Sequence, residues 1–164
     1  MNVRRLRADE AKLFKDLRLR ALADAPAAFA DPHDEINAQS DSYWEEMTRS
    51  VTEPGRHAMF VAEDDGDAVG IAFGVLPRDV PDVPHVGGMW VDPSARTRGI
   101  GRALAEAVFD WARQRGYRRI GLWVTEGNRA AVALYERLGF TPTGRRDRQP
   151  VDPTLGIVEM ERAL

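Results

Sequence analysis

The fold of this chain is decided by the stretch MWVDPSARTRGIGRALAEAVFDWA, residues 89–112. Its apolar start predicts a strand, and the Asp-Pro-Ser of residues 92–94 predicts a turn. After residues 96–101, apolar side chains return at spacings of three and four, which indicates an amphipathic helix packed on a sheet. The glycines lack Cβ atoms, and the first amides of a helix have no intrahelical acceptor and carry a partial positive charge. The segment therefore predicts a binding site for a phosphate-bearing ligand.

Three glycine-rich phosphate sites compete for this segment. A P-loop requires Gly-Lys-Ser/Thr, whereas an arginine and an alanine follow Gly101. A dinucleotide fingerprint matches Gly99 and Gly101, but its third glycine falls on Leu104. The third pattern is Arg/Gln-x-x-Gly-x-Gly/Ala after a strand that ends in Val-x-Pro, and residues 91–93 and 96–101 match it fully.

A second motif follows the predicted helix. Residues 119–124 alternate polar or small residues with apolar ones, which predicts a strand. Asn128 is suited to cap the next helix, and Gly139 is suited to end it before Phe140. The whole order over residues 128–140 is Asn-x-x-Ala-x-x-Leu-Tyr-x-x-Leu-Gly-Phe.

With these two motifs the chain resembles the GNAT family, the GCN5-related N-acetyltransferases. The resemblance implies an α/β fold, the GNAT fold, with a mixed central β-sheet of about six to seven strands flanked by about four helices. The remaining patterns give the order β-α-α-β-β-β-α-β-α-β-β, which agrees with that fold. We expect residues 1–164 to form a single N-acetyltransferase domain, because this length is ordinary for one domain.

The first half of the chain predicts two helices and a hairpin. Asp9 is expected to cap a helix that runs to about Ala23, and residues 42–45 resemble a capping box for a second helix. An irregular segment separates the two helices. Residues 57–63 and 68–76 predict two strands joined by an Asp-Asp-Gly-Asp turn.

The end of the chain predicts a second pair of strands, near residues 140–145 and 155–161. The arginine cluster at residues 145–148 is expected in the loop between them. A solvated loop is the favoured interpretation, and contact with an acidic substrate group or with the 3'-phosphate of the coenzyme is the alternative.

The resemblance also implies acetyl-CoA as cosubstrate, and it implies no metal. In the family, the loop and the helix start hold the pyrophosphate, and the central strand pairs with the pantetheine arm through its backbone. The asparagine contacts the same arm, and the tyrosine points at the thiol sulfur. The residues that match these positions are Met89, Trp90, Val91, Arg96, Thr97, Arg98, Gly99, Ile100, Gly101, Arg102, Asn128 and Tyr135.

Two residues are candidates for catalysis, Tyr135 and Glu126. Tyr135 is expected to protonate or hydrogen-bond the departing sulfur, and a core tyrosine is the alternative. The attacking ammonium must first lose a proton, which costs about 4 to 5 kcal/mol at pH 7. Many GNAT enzymes use a glutamate of the central strand for this step, but residues 85–91 contain no carboxylate. Glu126, His85 or a chain of water molecules is therefore left as the base.

The acceptor side has weaker signals. Contacts are expected from the irregular segment after the first helix, from the proline-rich loop at residues 77–84 and from the last hairpin. Phe29 and Trp44 are candidates to bind the substrate as walls of its pocket, and core packing is their alternative. Acidic residues between positions 31 and 46 suit a cationic amine, or they form a solvated face.

Composition restricts the partners. The formal net charge of -3 gives no field that attracts nucleic acid. No apolar run approaches the ~18 residues of a membrane span, and the amino terminus lacks a signal-peptide core. The absence of cysteine excludes disulfides and a cysteinyl acyl-enzyme. We expect a cytoplasmic protein whose partner is a small-molecule or peptide amine, without nucleic acid or membrane, and whose edge strands allow a homodimer.

These features favour an N-acetyltransferase that moves the acetyl group of acetyl-CoA to a primary amine, preferably of a small molecule, by direct attack in a ternary complex. The alternative is a non-catalytic CoA-binding sensor or regulatory module, because the central strand lacks a carboxylate. A nucleotide-phosphate binding protein is a third interpretation, which the missing P-loop lysine disfavours. Amine-stimulated thioester cleavage separates the first two.

Overall fold

A computed structural model describes residues 1–29 and 31–164. The strands within them are β1 (Asn2–Arg5), β2 (His57–Asp64), β3 (Asp67–Val75), β4 (His85–Val91), β5 (Arg119–Thr125), β6 (Thr141–Arg148) and β7 (Gly156–Ala163). The α-helices within them are α1 (Ala11–Asp24), α2 (His33–Asn37), α3 (Asp41–Thr52), α4 (Ile100–Gln114) and α5 (Arg129–Arg137). Short 3-10 turns lie at Pro26–Ala28 and Pro93–Ala95.

The strands form one mixed sheet in the order β1-β2-β3-β4-β5-β7-β6. β4 and β5 are parallel, and the other neighbouring pairs are antiparallel. The chain connects the two parallel strands through α4, because parallel neighbours require a crossover. The predicted mixed α/β sheet is confirmed.

The sheet separates two hydrophobic cores, and β2 shows why. Ala58 and Phe60 pack in the core that contains α4, whereas Met59 and Val61 pack in the core that contains α1 and α3. Successive side chains of a strand point to opposite faces of the sheet. A strand in a sheet that is covered on both faces is therefore apolar at consecutive positions.

Several predicted turns and caps are confirmed. Asp65 and Gly66 connect β2 to β3 with φ of 51° and 92°, as a two-residue hairpin turn of the primed type requires. The Asn128 side chain caps α5 by accepting the N–H of the third residue of that helix at 3.2 Å. Gly139 follows α5 with φ of 85°, the left-handed conformation common after a helix.

The predicted caps of the first two long helices are wrong. α1 begins after Glu10, not Asp9, because the Glu10 carboxylate accepts the N–H of Arg7 at 2.8 Å and also pairs with Arg4 of β1. α3 begins two residues earlier than residues 42–45 predict. Its cap is Ser40, whose hydroxyl accepts a backbone N–H at 3.2 Å.

Two further predictions differ from the structure. Residues 145–148 lie in β6 and not in the loop, since the backbone of residues 146–148 pairs with β7. Two of the side chains are held by acidic partners, since Arg145 pairs with Glu159 and Arg146 pairs with Glu126. The segment expected to be irregular contains the one-turn helix α2, which is too short to show an apolar period.

Candidate active site

The two parallel strands at the centre of the sheet diverge toward their carboxyl ends. The register pairs only residues 85–86 of β4 with residues 121–122 of β5, although β4 continues to Val91. Within the described chain, no strand pairs with the β5-facing edge of residues 87–91. Backbone groups at such an edge are available to an extended ligand.

A bulge reshapes β4 where the opening begins. Ile71 and Phe73 of β3, two residues apart, face Trp90 and Gly87, which are three residues apart. Gly88 takes up the extra length with φ of 51°, and a Cβ there would lie 2.6 Å from the Phe73 ring. Only glycine fits this position, which directly follows Gly87, so the two residues form a glycine pair at the bulge.

The predicted phosphate loop lies at the carboxyl end of β4, next to the opening. Gly99 precedes α4 with φ of 81°, and a Cβ there would meet open space. Thr97 also has a positive φ, of 66°. Among the described residues, the N–H groups from Thr97 to Arg102 donate to no protein acceptor. These amides and the amino-terminal end of α4 form a site suited to an anion.

The arginines of the loop differ in their contacts. Arg96 donates to the Val91 carbonyl at 3.0 Å and pairs with Asp24, whereas Arg98 pairs with Asp64. Both therefore hold the loop against α1 and β2. Arg102 is exposed and forms no ion pair with a described residue, so its charge is available to a ligand phosphate.

Gly101 has a packing role in addition to its predicted role. A Cβ at Gly101 would lie 3.1 Å from Leu134 Cδ2. The absence of a side chain lets α4 approach α5, which brings the predicted phosphate loop and the helix that contains Tyr135 together.

Tyr135 extends from α5 across to β4. Its hydroxyl lies 4.0 Å from the Met89 sulfur, and its ring packs edge-on against Phe140 at 5.8 Å. Burial raises the pKa of the Tyr135 hydroxyl to about 12. The group is therefore a proton donor at neutral pH and is not an acceptor of the amine proton. Tyr135 therefore packs in the core and also lies beside the opening between β4 and β5.

Glu126 directly follows β5, so it lies at the same end of the sheet as the opening. Its backbone N–H donates to the Gly156 carbonyl at 2.9 Å, and its carboxylate pairs with Arg146 at 2.6 Å. The Glu126 side chain is 41% exposed, which leaves it accessible to solvent. A Cβ at Gly156 would clash with this carboxylate, at 2.2 Å.

His85 begins β4, at the paired end of the two strands and away from the opening. The ring is buried against Gly121, and Nε2 has no hydrogen-bond partner among the described residues. Burial lowers the pKa of His85. This position gives no support to the interpretation of His85 as the base.

A cavity of about 230 Å³ opens on the α1 and α3 side of β4, next to the bulge. Its lining residues are Phe14, Arg18, Asp31, Ile36, Tyr43, Trp44, Met47, Phe73, Val75, Gly87 and Gly88. Trp44 lines it and is also a core residue, in edge contact with Phe14 at 5.4 Å. The cavity and the unpaired edge of β4 meet at the glycine pair.

Phe29 lies just behind this cavity and does not line it. It is 5% exposed, and the Arg18 guanidinium lies over its ring at 4.9 Å from the centroid. Its carbonyl accepts a hydrogen bond from the buried side chain of Gln149. Phe29 therefore supports a residue of the cavity wall.

Sequence patterns did not single out Arg18 or Gln149. A signal for Arg18 was present, because it follows Phe14 by four residues and precedes Ala21 by three, which places an arginine on the buried face of α1. Gln149 had no such signal, since it lies in a loop and its partners are distant in the chain.

A mixed sheet that opens between two parallel strands, with the amino-terminal end of a helix at the opening, is the architecture of the α/β acetyltransferase class. The chain belongs to the Acetyltransferase (GNAT) family, whose model matches residues 18–140. The fold and family predictions are thereby confirmed, and acetyl-CoA is the acetyl donor of that family.

Individual relatives differ in length and in acceptor. A mycothiol acetyltransferase from Beutenbergia cavernae is 34% identical over 77% of this chain and 39% of its own length. This chain thus spans about two fifths of that relative. A [Ribosomal protein bS18]-alanine N-acetyltransferase from Escherichia coli is 34% identical over 77% of this chain and 82% of its own. The solved structure of a GCN5-related N-acetyltransferase from Kribbella flavida has a TM-score of 0.76 at 28% identity, covering 99% of this chain and 97% of that one.

Proposed function

We propose that this chain transfers the acetyl group of acetyl-CoA to a primary amine by direct attack in a ternary complex. One observation supports this most strongly. The unpaired edge of β4 connects the free amides of residues 97–102 at one end to the apolar cavity beside the bulge at the other. A long phosphorylated donor and a small acceptor can therefore meet at one strand.

The residues present fit the donor. When bound, acetyl-CoA supplies an acetyl thioester. The amides of residues 97–102 and the charge of Arg102 suit its pyrophosphate, and the backbone of residues 89–91 suits its amide-rich arm. Asn128 uses its side-chain oxygen to cap α5, which leaves its amide nitrogen to contact the same arm.

Tyr135 is the proposed acid, because burial keeps its hydroxyl protonated beside Met89. Glu126 is the proposed base, directly or through water, because it is exposed at the open end of β5. Its carboxylate also pairs with Arg146. The same ion pair is the observation in favour of the second candidate, a non-catalytic CoA-binding sensor, since it occupies the carboxylate.

Gly99→Ala provides the test of the donor site. The methyl group would occupy open space beside the start of α4, where we propose that the phosphates bind, so we expect acetyl-CoA affinity to fall by about tenfold or more. Isothermal titration calorimetry with acetyl-CoA measures this. Gly116→Ala is the matched control, because Gly116 also has a positive φ and open space but lies beyond the other end of α4.

Equal affinities for the two variants would contradict the proposed donor site, and absence of binding to the wild type would overturn the proposed function. Thiol release on addition of a panel of primary amines then separates the enzyme from the sensor. The sensor binds acetyl-CoA and releases no thiol.

Four other features of the protein stay predictions. A small-molecule acceptor, a cytoplasmic location, a homodimer and a single domain over residues 1–164 are all proposed on the sequence grounds given above. Across residues 1–29 and 31–164, every helix falls short of the length and apolar character that would let it cross a membrane.

A further inference from the structure

The cavity beside β4 contains a cation whose hydrogen bonding is incomplete. The Arg18 side chain is 13% exposed, and Nη2 pairs with Asp31. Nη1 is buried and has no hydrogen-bond partner among the described residues. A guanidinium has five N–H donors in a planar fork, and leaving a buried, charged donor unpaired is destabilising.

The position of this cation is as informative as its charge. A Cβ on Gly88 would lie 3.6 Å from Arg18 Nη1, so the guanidinium lies beside the bulge of β4. The bulge is where the cavity meets the unpaired edge of the strand. A group bound by Arg18 is therefore next to the place proposed for the acetyl donor.

The rest of the cavity is mainly apolar, with aromatic, methionine and valine side chains from α1, α3 and β3. Trp44 adds a second unpaired atom, because its Nε1 is buried without a partner in the described chain. Both unpaired groups are N–H donors. Acceptor oxygens of a ligand would complete their hydrogen bonding, whereas the remaining wall favours an apolar body.

Asp31 does not complete the bonding of the guanidinium. Its side chain is 45% exposed and contacts Nη2 alone. Nη1 is left without an acceptor among the described residues, and an arginine fork matches a carboxylate in geometry as well as charge.

We propose that the acceptor is a small amine with its own carboxylate, an α-amino acid with an apolar side chain, and that Arg18 binds this carboxylate. The inference rests on the proposed acetyltransferase function. In the transfer, the amine nitrogen bonds to the acetyl carbon, the carbon–sulfur bond breaks, the amine loses one proton and coenzyme A leaves as the thiol. The products are an N-acetylamino acid and free coenzyme A.

Pairs of acceptor compounds that differ only in the carboxylate charge provide the test. Each amino acid is compared with its carboxamide, as L-leucine with L-leucinamide, L-methionine with L-methioninamide and L-phenylalanine with L-phenylalaninamide. We expect at least one acid to have a kcat/KM about tenfold or more above its amide. Amine basicity cannot produce this preference, because the ammonium of the amide loses its proton more readily.

Variants of α1 assign the preference to Arg18. Arg18→Met removes the charge and keeps the length, and we expect the acid-to-amide ratio to fall to about one, whereas Arg18→Lys should retain part of it. Lys12→Met removes an exposed cation from the same helix and should leave the ratio unchanged. Calorimetry with acetyl-CoA checks that each variant is folded and binds the donor.

The possible outcomes distinguish a failure of the proposed amino-acid acceptor from a failure of the proposed acetyltransferase function. Amides used as well as acids, or acetyl-CoA binding without transfer to any of the six compounds, would overturn the amino-acid acceptor and leave the donor site standing. A ratio that survives Arg18→Met would overturn the role of Arg18. Failure of the wild type to bind acetyl-CoA would overturn the acetyltransferase itself.

Discussion

Tyr135 combines a packing role with the proposed role of the acid. Its ring fills the core between α5 and the sheet, and its hydroxyl reaches Met89 at the edge where β4 has no partner. An aromatic ring fixed by packing holds its hydroxyl in one place, which favours proton donation to a nearby sulfur. Because burial raises the pKa, that proton is present throughout the neutral range.

Tyr135→Phe removes only the hydroxyl, so we expect the fold to persist and kcat to fall by about tenfold to a hundredfold, toward the lower end of general-acid effects. Steady-state kinetics with a good acceptor amine measures the change. Tyr117→Phe, on a tyrosine outside the opening, is the control. An unchanged kcat in a folded Tyr135→Phe protein would remove Tyr135 from the mechanism.

At the scale of elements, the wall of the cavity beside β4 depends on contacts from distant strands. The Thr125 hydroxyl, at the end of β5, donates to the Ala27 carbonyl at 3.1 Å. Gln149, between β6 and β7, donates to the Phe29 carbonyl and accepts the N–H groups of Val151 and Asp152. These bonds attach the segment that supports Arg18 to the far half of the sheet.

Gln149→Ala would leave the Phe29 carbonyl and two loop N–H groups without their partner. We expect a loss of about 1 to 3 kcal/mol in the free energy of unfolding, measured by urea denaturation. The KM for the acceptor should rise while the affinity for acetyl-CoA is unchanged. Gln114→Ala, at an exposed glutamine, is the control. Equal acceptor KM values for the two variants would show that the Gln149 contacts do not shape the cavity.

Elements with a strong local pattern were predictable from the sequence. α4 and α5 were predictable because each combines an apolar period with a glycine at its end. The tight hairpin between β2 and β3 was predictable as well. The caps of α1 and α3 were not predictable from the sequence, since several polar residues precede each helix. The contacts of Glu10 and Ser40 determine which of these residues is the cap. The pairing of residues 146–148 with β7 is a contact between separate segments that no local pattern shows.

The same distinction holds for the candidate site. The proposed donor site is built mainly from two continuous segments, so its glycines and Asn128 were visible as motifs. The cavity takes residues from α1, α2, α3, β3 and β4, and the role of Arg18 depends on a bulge in another element. Such a site becomes visible only when the whole molecule is assembled.

Whole-molecule stability should depend on alkaline pH through Tyr135. The folded state raises the pKa from 10.0 to about 12, so the protonated group contributes fully below pH 10, and this contribution is lost as the pH rises through 12. Between pH 9 and pH 11 we expect wild-type stability to fall by about 1 kcal/mol more than that of Tyr135→Phe. Urea unfolding of both proteins measures the difference, and parallel pH dependences would contradict it.

The divergence of β4 and β5 also divides the sheet into two halves, β1 to β4 and β5 with β7 and β6. Within the described residues the two halves share two register pairs, next to which the Gly121 N–H donates to the Pro84 carbonyl at 2.9 Å. A molecule lying in the gap adds main-chain contacts where the sheet itself has none, and so lengthens the seam between the halves. Amide hydrogen exchange beyond Val86 should therefore report on occupancy of the gap, fast when it is empty and slow when it is filled, while the strands outside the seam change little.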